Sequence, residues 1–426
     1  MNLKSKRVLF VGFRGKETHV ASVKAAGVIP FLLIEEKEAR QEYSLLFEKV
    51  FAVKDLFDWS NVVTALKNYK FDGILTRYED FVELTSALSE YFKTPGIKFE
   101  NAQKFRNKYL MRKAFAEAKA PSADFELISS IEDAQSFLKK HSFPFILKQT
   151  SGIHSKFVAK VNSVQELKKT FSDFRKQLPK SNDNLQRKLK KYPQKVCAPD
   201  PLKNFLLEEC LTGMELTIDA FVVNGKIFFT PICRYVLAEE IGIDDAYLPI
   251  RIMPFDLTSE EKKYIFDVVK QGLQALGANY CATHTEVFYD REKGEARIIE
   301  IAARGGGFRA EMYKNSCDGG DYDLAVVQAT LGVSPKLSKK NQNCASVVEI
   351  FSPKNGKLKK IDYNILKKSK NISHLTINKK IGEKVGLARD GNSFVLKFLL
   401  KTKNYESAKK QSIQFLNKIR KTIVVK

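Results

Sequence analysis

The first hundred residues alternate short apolar runs with amphipathic stretches. Arg7-Val-Leu-Phe-Val-Gly-Phe13 reads as a buried strand, residues 17–26 as a helix, and residues 29–34 as a second strand. Asp72-Gly-Ile-Leu-Thr76 repeats the strand signal after a helix around residues 59–68. This alternation predicts a doubly wound parallel sheet, whose ligands gather at the carboxyl ends of the strands, here Gly12–Gly15 and Thr76–Glu79. Gly12-Phe-Arg-Gly15 is not a GxGxxG fingerprint, so no dinucleotide site is expected.

Further on the period changes. A helix over residues 107–118 precedes Pro121, and Phe143-Pro-Phe-Ile-Leu-Lys148 runs into a loop of small residues, Gln149 to Lys156, before a second strand at residues 157–161. Residues 176–204 are basic and contain four prolines, which predicts a mobile surface connection. Residues 205–226 alternate into strands around an Asn224-Gly225 turn, a pair suited to a tight hairpin. A helix over residues 259–276 then leads to strands at 283–289 and 297–301, joined by a turn at 290–294. Residues 345–426 read as a separate α+β cap ending in a helix over 407–420. The pattern gives α/β and α+β multidomain architecture with units at 1–100, 101–205, 206–335 and 336–426.

Composition narrows the class. In 426 residues, 72 Lys and Arg against 49 Asp and Glu leave a net charge of +23, which makes polyanions plausible partners. Lysine is spread along the chain, however, and the runs Gln186–Lys191, Lys357–Lys360 and Lys367–Lys370 are most economically read as solvated surface. A nucleic-acid partner is therefore not expected. Six cysteines without a CxxC pair suggest neither a disulfide scaffold nor a zinc knuckle, and no stretch approaches a membrane span. A cytoplasmic protein is expected.

Candidate chemistry lies in the second half. Glu286 and Glu300 interrupt two apolar hairpin strands, where they either face one another or stand as exposed cross-strand acids. Buried and paired, they would repel unless a divalent cation held both ionised, and magnesium suits their oxygen donors. Glu300 is followed by Ile301-Ala-Ala-Arg304-Gly-Gly-Gly, an arginine and glycines that let backbone approach an anion. Lys148 ends an apolar strand before a small-residue loop, a common way to hold nucleotide phosphates.

These residues resemble the ATP-grasp ligases. Five motifs follow that family's order: Asn107-Lys108, Pro144-Phe-Ile-Leu-Lys148, Leu207-Glu-Glu-Cys-Leu-Thr-Gly-Met-Glu215, Thr283-His-Thr-Glu286 and Ile299-Glu-Ile-Ala-Ala-Arg304. The Thr-His-Thr-Glu-Val run, the Glu-Ile-Ala-Ala-Arg-Gly-Gly-Gly form and the tail are most similar to the L-amino acid ligases that make dipeptides. The resemblance implies an ATP-grasp fold with a Rossmann-like N-terminal domain and a C-terminal α+β domain. It also implies an ADP-forming carboxylate–amine ligase acting on small-molecule acids and amines, through ATP and two Mg2+, with Mn2+ as a substitute, and a homodimer.

On this resemblance Lys108 and Lys148 would hold ATP phosphates, the main chain of Glu208 and Leu211 would meet adenine, and Ser155 and Glu209 would also belong to the cofactor site. Glu215 would bind ribose, Glu286 and Glu300 magnesium, and Arg304 the substrate carboxylate. His284 is either close to the acceptor or a satisfied core histidine. Ala302 stands where many ATP-grasp enzymes have a metal-binding asparagine, and Ile153-His154 makes the phosphate loop poorer in glycine than usual. A carboxylase of the same fold, taking bicarbonate or a non-peptide acid, is the alternative within enzymes. A basic nucleic-acid-binding protein on the same scaffold is the alternative outside them.

Overall fold

The computed structural model describes residues 3–14, 18–152, 157–180, 189–194, 198–243, 248–318, 320–338, 342–388 and 392–426. The N-terminal unit is a four-stranded parallel sheet in the order Lys49–Val53, Ile29–Glu35, Arg7–Val11, Gly73–Leu75. Its inner strands are buried almost throughout, as a sheet covered on both faces requires. Lys49–Val53 escapes the hydrophobic pattern because it is an edge strand, with Lys49 and Ala52 exposed.

Residues 121–209 build a smaller sheet in the order Phe125–Ile128, Phe205–Glu209, Phe145–Gln149, Val158–Val161, backed by the helix Val164–Gln177. The expected Lys148 hairpin is present, with Lys148 opposite Val158. The basic connection that follows departs from expectation. Within it, residues 189–194 are docked on the N-terminal unit: Lys190 N donates to Phe57 O and Trp59 N to Lys190 O. Lys190 and Lys191 pair with Asp55 and Asp58 at 3.2 and 2.8 Å, and the Tyr192 ring meets Trp59 and Phe99 with centroids 4.8 and 4.5 Å away. Charge and proline content suggested mobility, but the partners lie more than ninety residues away in sequence.

The largest element is a nine-stranded antiparallel sheet. From one edge its order is Glu295–Ala302, Cys281–Asp290, Met214–Val223, Cys233–Val236, Ile250–Met253, Cys344–Ile350, Leu396–Thr402 and Ile372–Ile377, with Lys226–Phe229 beside Met214–Val223. The Asn224-Gly225 turn forms as expected, both residues having positive φ (48° and 74°). The C-terminal region is not a separate cap. Cys344–Ile350 is buried at every position and pairs with Ile250–Met253 on one side and Leu396–Thr402 on the other, so it continues the central sheet. A strand covered on both faces reads alike in either context, so sequence alone cannot set that boundary.

Helices cover both faces of the central sheet. Ser259–Ala275 starts with a Thr258–Glu261 capping box and buries Ile265, Val269 and Leu273 beneath one face. On the other face Tyr322–Thr330 packs against the sheet and against the first helix of the N-terminal unit, Thr18–Ala25. This brings the carboxyl ends of the parallel strands to the end of the hairpin that carries Glu286 and Glu300. Among the described residues no helix is long and apolar enough to cross a membrane, and the five described cysteines are free thiols.

Candidate active site

Glu286 and Glu300 stand directly opposite in the register of the Cys281–Asp290 and Glu295–Ala302 strands, with a bulge immediately after Glu286. Their cation is absent from the local sequence because it comes from residue 108. Asn107 caps the helix Lys108–Glu117, its Oδ1 accepting from Tyr109 N and Leu110 N at 3.0 and 3.1 Å. The cap fixes Lys108 in the first helical turn, a poor place for a cation against the helix dipole. Its Nζ donates to Glu300 Oε2 and its N–H to Thr150 O at 2.7 Å, tying the helix start to the Lys148 loop. Burial opposes ionisation of Glu300, yet Lys108, with Lys148 and Arg304 near it, outweighs burial and draws the carboxyl down to about 2.

Lys148 is buried and pairs with Glu208 Oε2 at 2.6 Å. Glu208 in turn meets Arg112 Nε at 2.9 Å, and Arg112 donates a second bond to Ile299 O at 2.7 Å. Desolvation lowers the Lys148 pKa to about 8 because Glu208 only partly offsets it, while Arg112 and Lys108 repel the charge further. Three cations, Lys108, Lys148 and Arg112, thus share two carboxylates, Glu208 and Glu300. Glu79 and Glu286 act on Lys108 as well, so cations and carboxylates stand close to balance in the enclosure. Glu208 has strand neighbours on both sides, Phe125 and Ile146, so its main chain belongs to the sheet ladder and its side chain faces the site. Glu209 is engaged too, its N–H donating to Asp124 O and both carboxylate oxygens lying 2.7 Å from Arg297 NH1. Leu211 lies beyond the strand end, half-buried.

Arg304 reaches across to the N-terminal unit, where its Nε lies 2.9 Å from Glu79 Oε2. Burial works against its charge, but Glu79, Glu300 and Glu286 more than compensate and raise its pKa. The glycines after it serve a tighter purpose than anion binding. A Cβ on Gly306 would lie 2.5 Å from His284 Nδ1, and one on Gly305 would lie 2.3 Å from the Tyr322 hydroxyl. Gly306 N–H does meet an anion, but that anion is Asp219, at 2.8 Å.

His284 is buried at the centre of this arrangement. Its Nδ1 lies 2.6 Å from Asp219 Oδ1, and its Nε2 lies 3.4 Å from Tyr235 Oη and 3.6 Å from Glu286 Oε1. Desolvation disfavours the imidazolium, yet Asp219 prevails and the pKa is raised. Asp219 also takes Arg309 Nε at 3.2 Å and the Tyr322 hydroxyl, and these partners hold its pKa far below the usual range against burial. His284 is therefore a satisfied buried group and at the same time a neighbour of Glu286.

Glu215 lies buried on the Met214–Val223 strand, opposite Phe288 and Tyr235. Ser155 and the Ile153-His154 pair lie outside the described residues. Among those described, no cluster of three or more His, Cys, Asp or Glu suits a metal. Glu286 and Glu300 nonetheless offer adjacent hard oxygen donors, a set that fits magnesium when phosphate and water complete the shell. Ala302 contributes no ligand.

Sequence reasoning missed Arg112, Glu79, Asp219, Tyr235 and Arg309. Asp219 carried a signal, an acid inside the apolar run Leu216-Thr-Ile-Asp-Ala-Phe-Val-Val223, and Glu79 lies in the strand-end segment where ligands were expected. Arg112 gave none, because an arginine on a helix reads as surface until the tertiary fold encloses it.

Residues 141–311 match the model of the ATP-grasp domain. An alanine–anticapsin ligase of Bacillus subtilis strain 168 is 28% identical over 261 residues, covering 58% of this chain and 51% of that protein. The chain spans about half the length of the curated relatives it matches. The crystal structure of an L-amino acid ligase from Bacillus licheniformis superimposes with a TM-score of 0.77 at 18% identity, covering 99% of each chain. The biotin carboxylase domain dimer of the Hydrogenobacter thermophilus 2-oxoglutarate carboxylase, solved with MgADP and bicarbonate, gives 0.69 at 15% identity over 99% of this chain and 90% of that one. The protein has the ATP-grasp fold and carries an ATP-grasp domain. Within that group its sequence relatives bear the names of amino-acid ligases.

Proposed function

We propose that the protein is an ATP-dependent carboxylate–amine ligase. A carboxylate oxygen of the first substrate takes the γ-phosphoryl group and ADP leaves. The amine nitrogen of the second substrate then attacks the acyl carbon, the C–O bond to phosphate breaks, and amide, phosphate and a proton are released. The observation that carries this reading is the convergence of Lys108, Lys148 and Arg304 on the opposed pair Glu286 and Glu300.

A triphosphate and a carboxylate repel, and fixed cations in an enclosed site offset that repulsion at no reorganisation cost. Lys148 and Lys108 would hold phosphate oxygens, Lys108 giving up Glu300 when that carboxylate serves as a ligand. Arg304 would hold the acid, with Glu79 keeping the guanidinium aimed. Leu211 would meet adenine and Glu215 the ribose, while His284 and Asp219 position Glu286. Magnesium, two ions in this reading and replaceable by manganese, would supply Lewis-acid neutralisation of the phosphates from Glu286 and Glu300. The names of the sequence relatives favour amino acids as substrates.

Phosphate release should be measured with MgATP and amino acids offered singly and in pairs. Release that needs two amino acids supports the ligase. Release with bicarbonate alone would replace it with the carboxylase reading, and unchanged turnover in Glu300→Gln would remove the metal role.

A further inference from the structure

Lysine occurs along the whole chain, but its excess over acids does not. Residues 353–426 hold 20 Lys and Arg against 4 Asp and Glu, so they carry +16 of the total +23. None of the steps above uses that charge. Part of it is gathered on one surface. The strand Gly356–Lys360 stands between Lys384–Val385 and Val424–Val425 in a three-stranded sheet. One face of this sheet closes over the core through Leu358, Val385 and Val425. The other face is open to solvent.

Across the open face Lys384, Lys357 and Lys426 form a row. Lys357 lies opposite Lys384 in register and exchanges two main-chain hydrogen bonds with Lys426, at 2.7 and 3.0 Å. Like charges directly opposite on neighbouring strands destabilise a sheet, so the row is a cost to the free molecule. All three lysines are exposed, as is Lys360, and among the described residues none of the four is ion-paired with a carboxylate. Two acids stand nearby and offset only part of the charge: Glu383, whose Oε2 accepts from Lys380 N–H, and the carboxyl group of Lys426.

Aliphatic side chains stand exposed among these cations. Val424, 49% exposed, lies opposite Lys360; Ile381, 59% exposed, precedes Gly382, whose N–H donates to Leu358 O at 2.7 Å. A nucleic acid would be met by arginine forks and exposed rings. Residues 353–426 contain two arginines, and none of their described Phe or Tyr residues is exposed. Lysines interleaved with bare aliphatics suit an anionic lipid interface, where ammonium groups meet headgroups and apolar side chains enter below them. The segment holding Ile381 follows Ile372–Ile377, at the opposite edge of the central sheet from the strand of Glu300.

We propose that this face docks the protein on an anionic lipid surface, with Lys357, Lys360, Lys384 and Lys426 against the headgroup phosphates and Val424 and Ile381 in the interface. The docking is independent of the ligase reading.

The test is cosedimentation of the full chain with vesicles of phosphatidylcholine alone and of phosphatidylcholine mixed with phosphatidylglycerol, at low and high salt. Wild type should bind the mixed vesicles only, and less at high salt. At about fivefold per lysine, Lys357→Gln/Lys360→Gln/Lys384→Gln should weaken binding by about a hundredfold. Ile381→Ser/Val424→Ser, which changes no charge, should weaken it by about tenfold or more. Both variants alter exposed side chains and should melt as wild type does. Absence of binding to mixed vesicles, equal binding to both kinds, or undiminished binding by the lysine variant overturns the proposal. So does a duplex DNA fragment that the wild type binds, the lysine variant loses and the Ile381→Ser/Val424→Ser variant keeps, if vesicle binding is likewise indifferent to the aliphatic pair; the surface would then be a nucleic-acid site.

Discussion

Glu208→Gln offers the sharpest perturbation of the phosphate site. The substitution keeps the shape and the strand pairing but takes away the carboxylate 2.6 Å from Lys148. Lys148, whose pKa burial has already brought to about 8, is then left beside Arg112 and Lys108 without its paired carboxylate. Removing one partner of a buried pair costs about 3–5 kcal/mol. At about 1.4 kcal/mol per pKa unit, even the lower figure corresponds to about two units, placing the Lys148 ammonium near pH 6.

The wild-type protein should therefore bind a magnesium complex of a non-hydrolysable ATP analogue with constant affinity up to about pH 8. Above that, affinity should fall about tenfold per pH unit, as the charged fraction of Lys148 does. The variant should begin the same decline about two pH units lower, near pH 6. Stability follows the opposite sign. The folded pKa lies below the unfolded one, so above pH 8 the unfolded chain binds more protons at this group, and Lys148 adds stability as pH rises towards about 10.4. Isothermal titration calorimetry from pH 6 to 9.5 checks the affinity. Superimposable curves for variant and wild type would refute the role assigned to the Glu208–Lys148 pair.

Other consequences are checked more directly. Asp219→Asn leaves Arg309 and His284 without their shared carboxylate and should cost about 3–5 kcal/mol in urea unfolding; a change within error would contradict the buried network. Gly306→Ala forces a methyl against the His284 ring and should destabilise by about 1–3 kcal/mol, visible as a lowered melting temperature. Tyr192→Ala removes the ring packed on Trp59, the single tryptophan of the chain, so the intrinsic emission should shift to the red. An unshifted spectrum would mean that residues 189–194 are not docked in solution.

The parallel N-terminal unit, the Lys148 hairpin and the Asn224-Gly225 turn were legible in the order of residues, and the facing of Glu286 with Glu300 was one of the two readings it offered. Each depends on interactions between near neighbours: strand periodicity, a turn that needs positive φ, and a two-stranded register set by a short loop. The partners of those groups were not legible. Lys108 reaches Glu300 across 192 positions, Glu208 reaches Arg112 across 96, and Asp219 reaches Tyr322 across 103. No local pattern encodes such pairings, because they arise when separate sheets are packed together. The placement of the C-terminal strands in the central sheet, and of residues 189–194 on the N-terminal unit, belongs to the same class. Chain-local physics chose the elements and the chemistry available to them. Tertiary packing chose which charges share a dry enclosure, and through that sharing it decided which carboxylates stay ionised and where an anion is wanted.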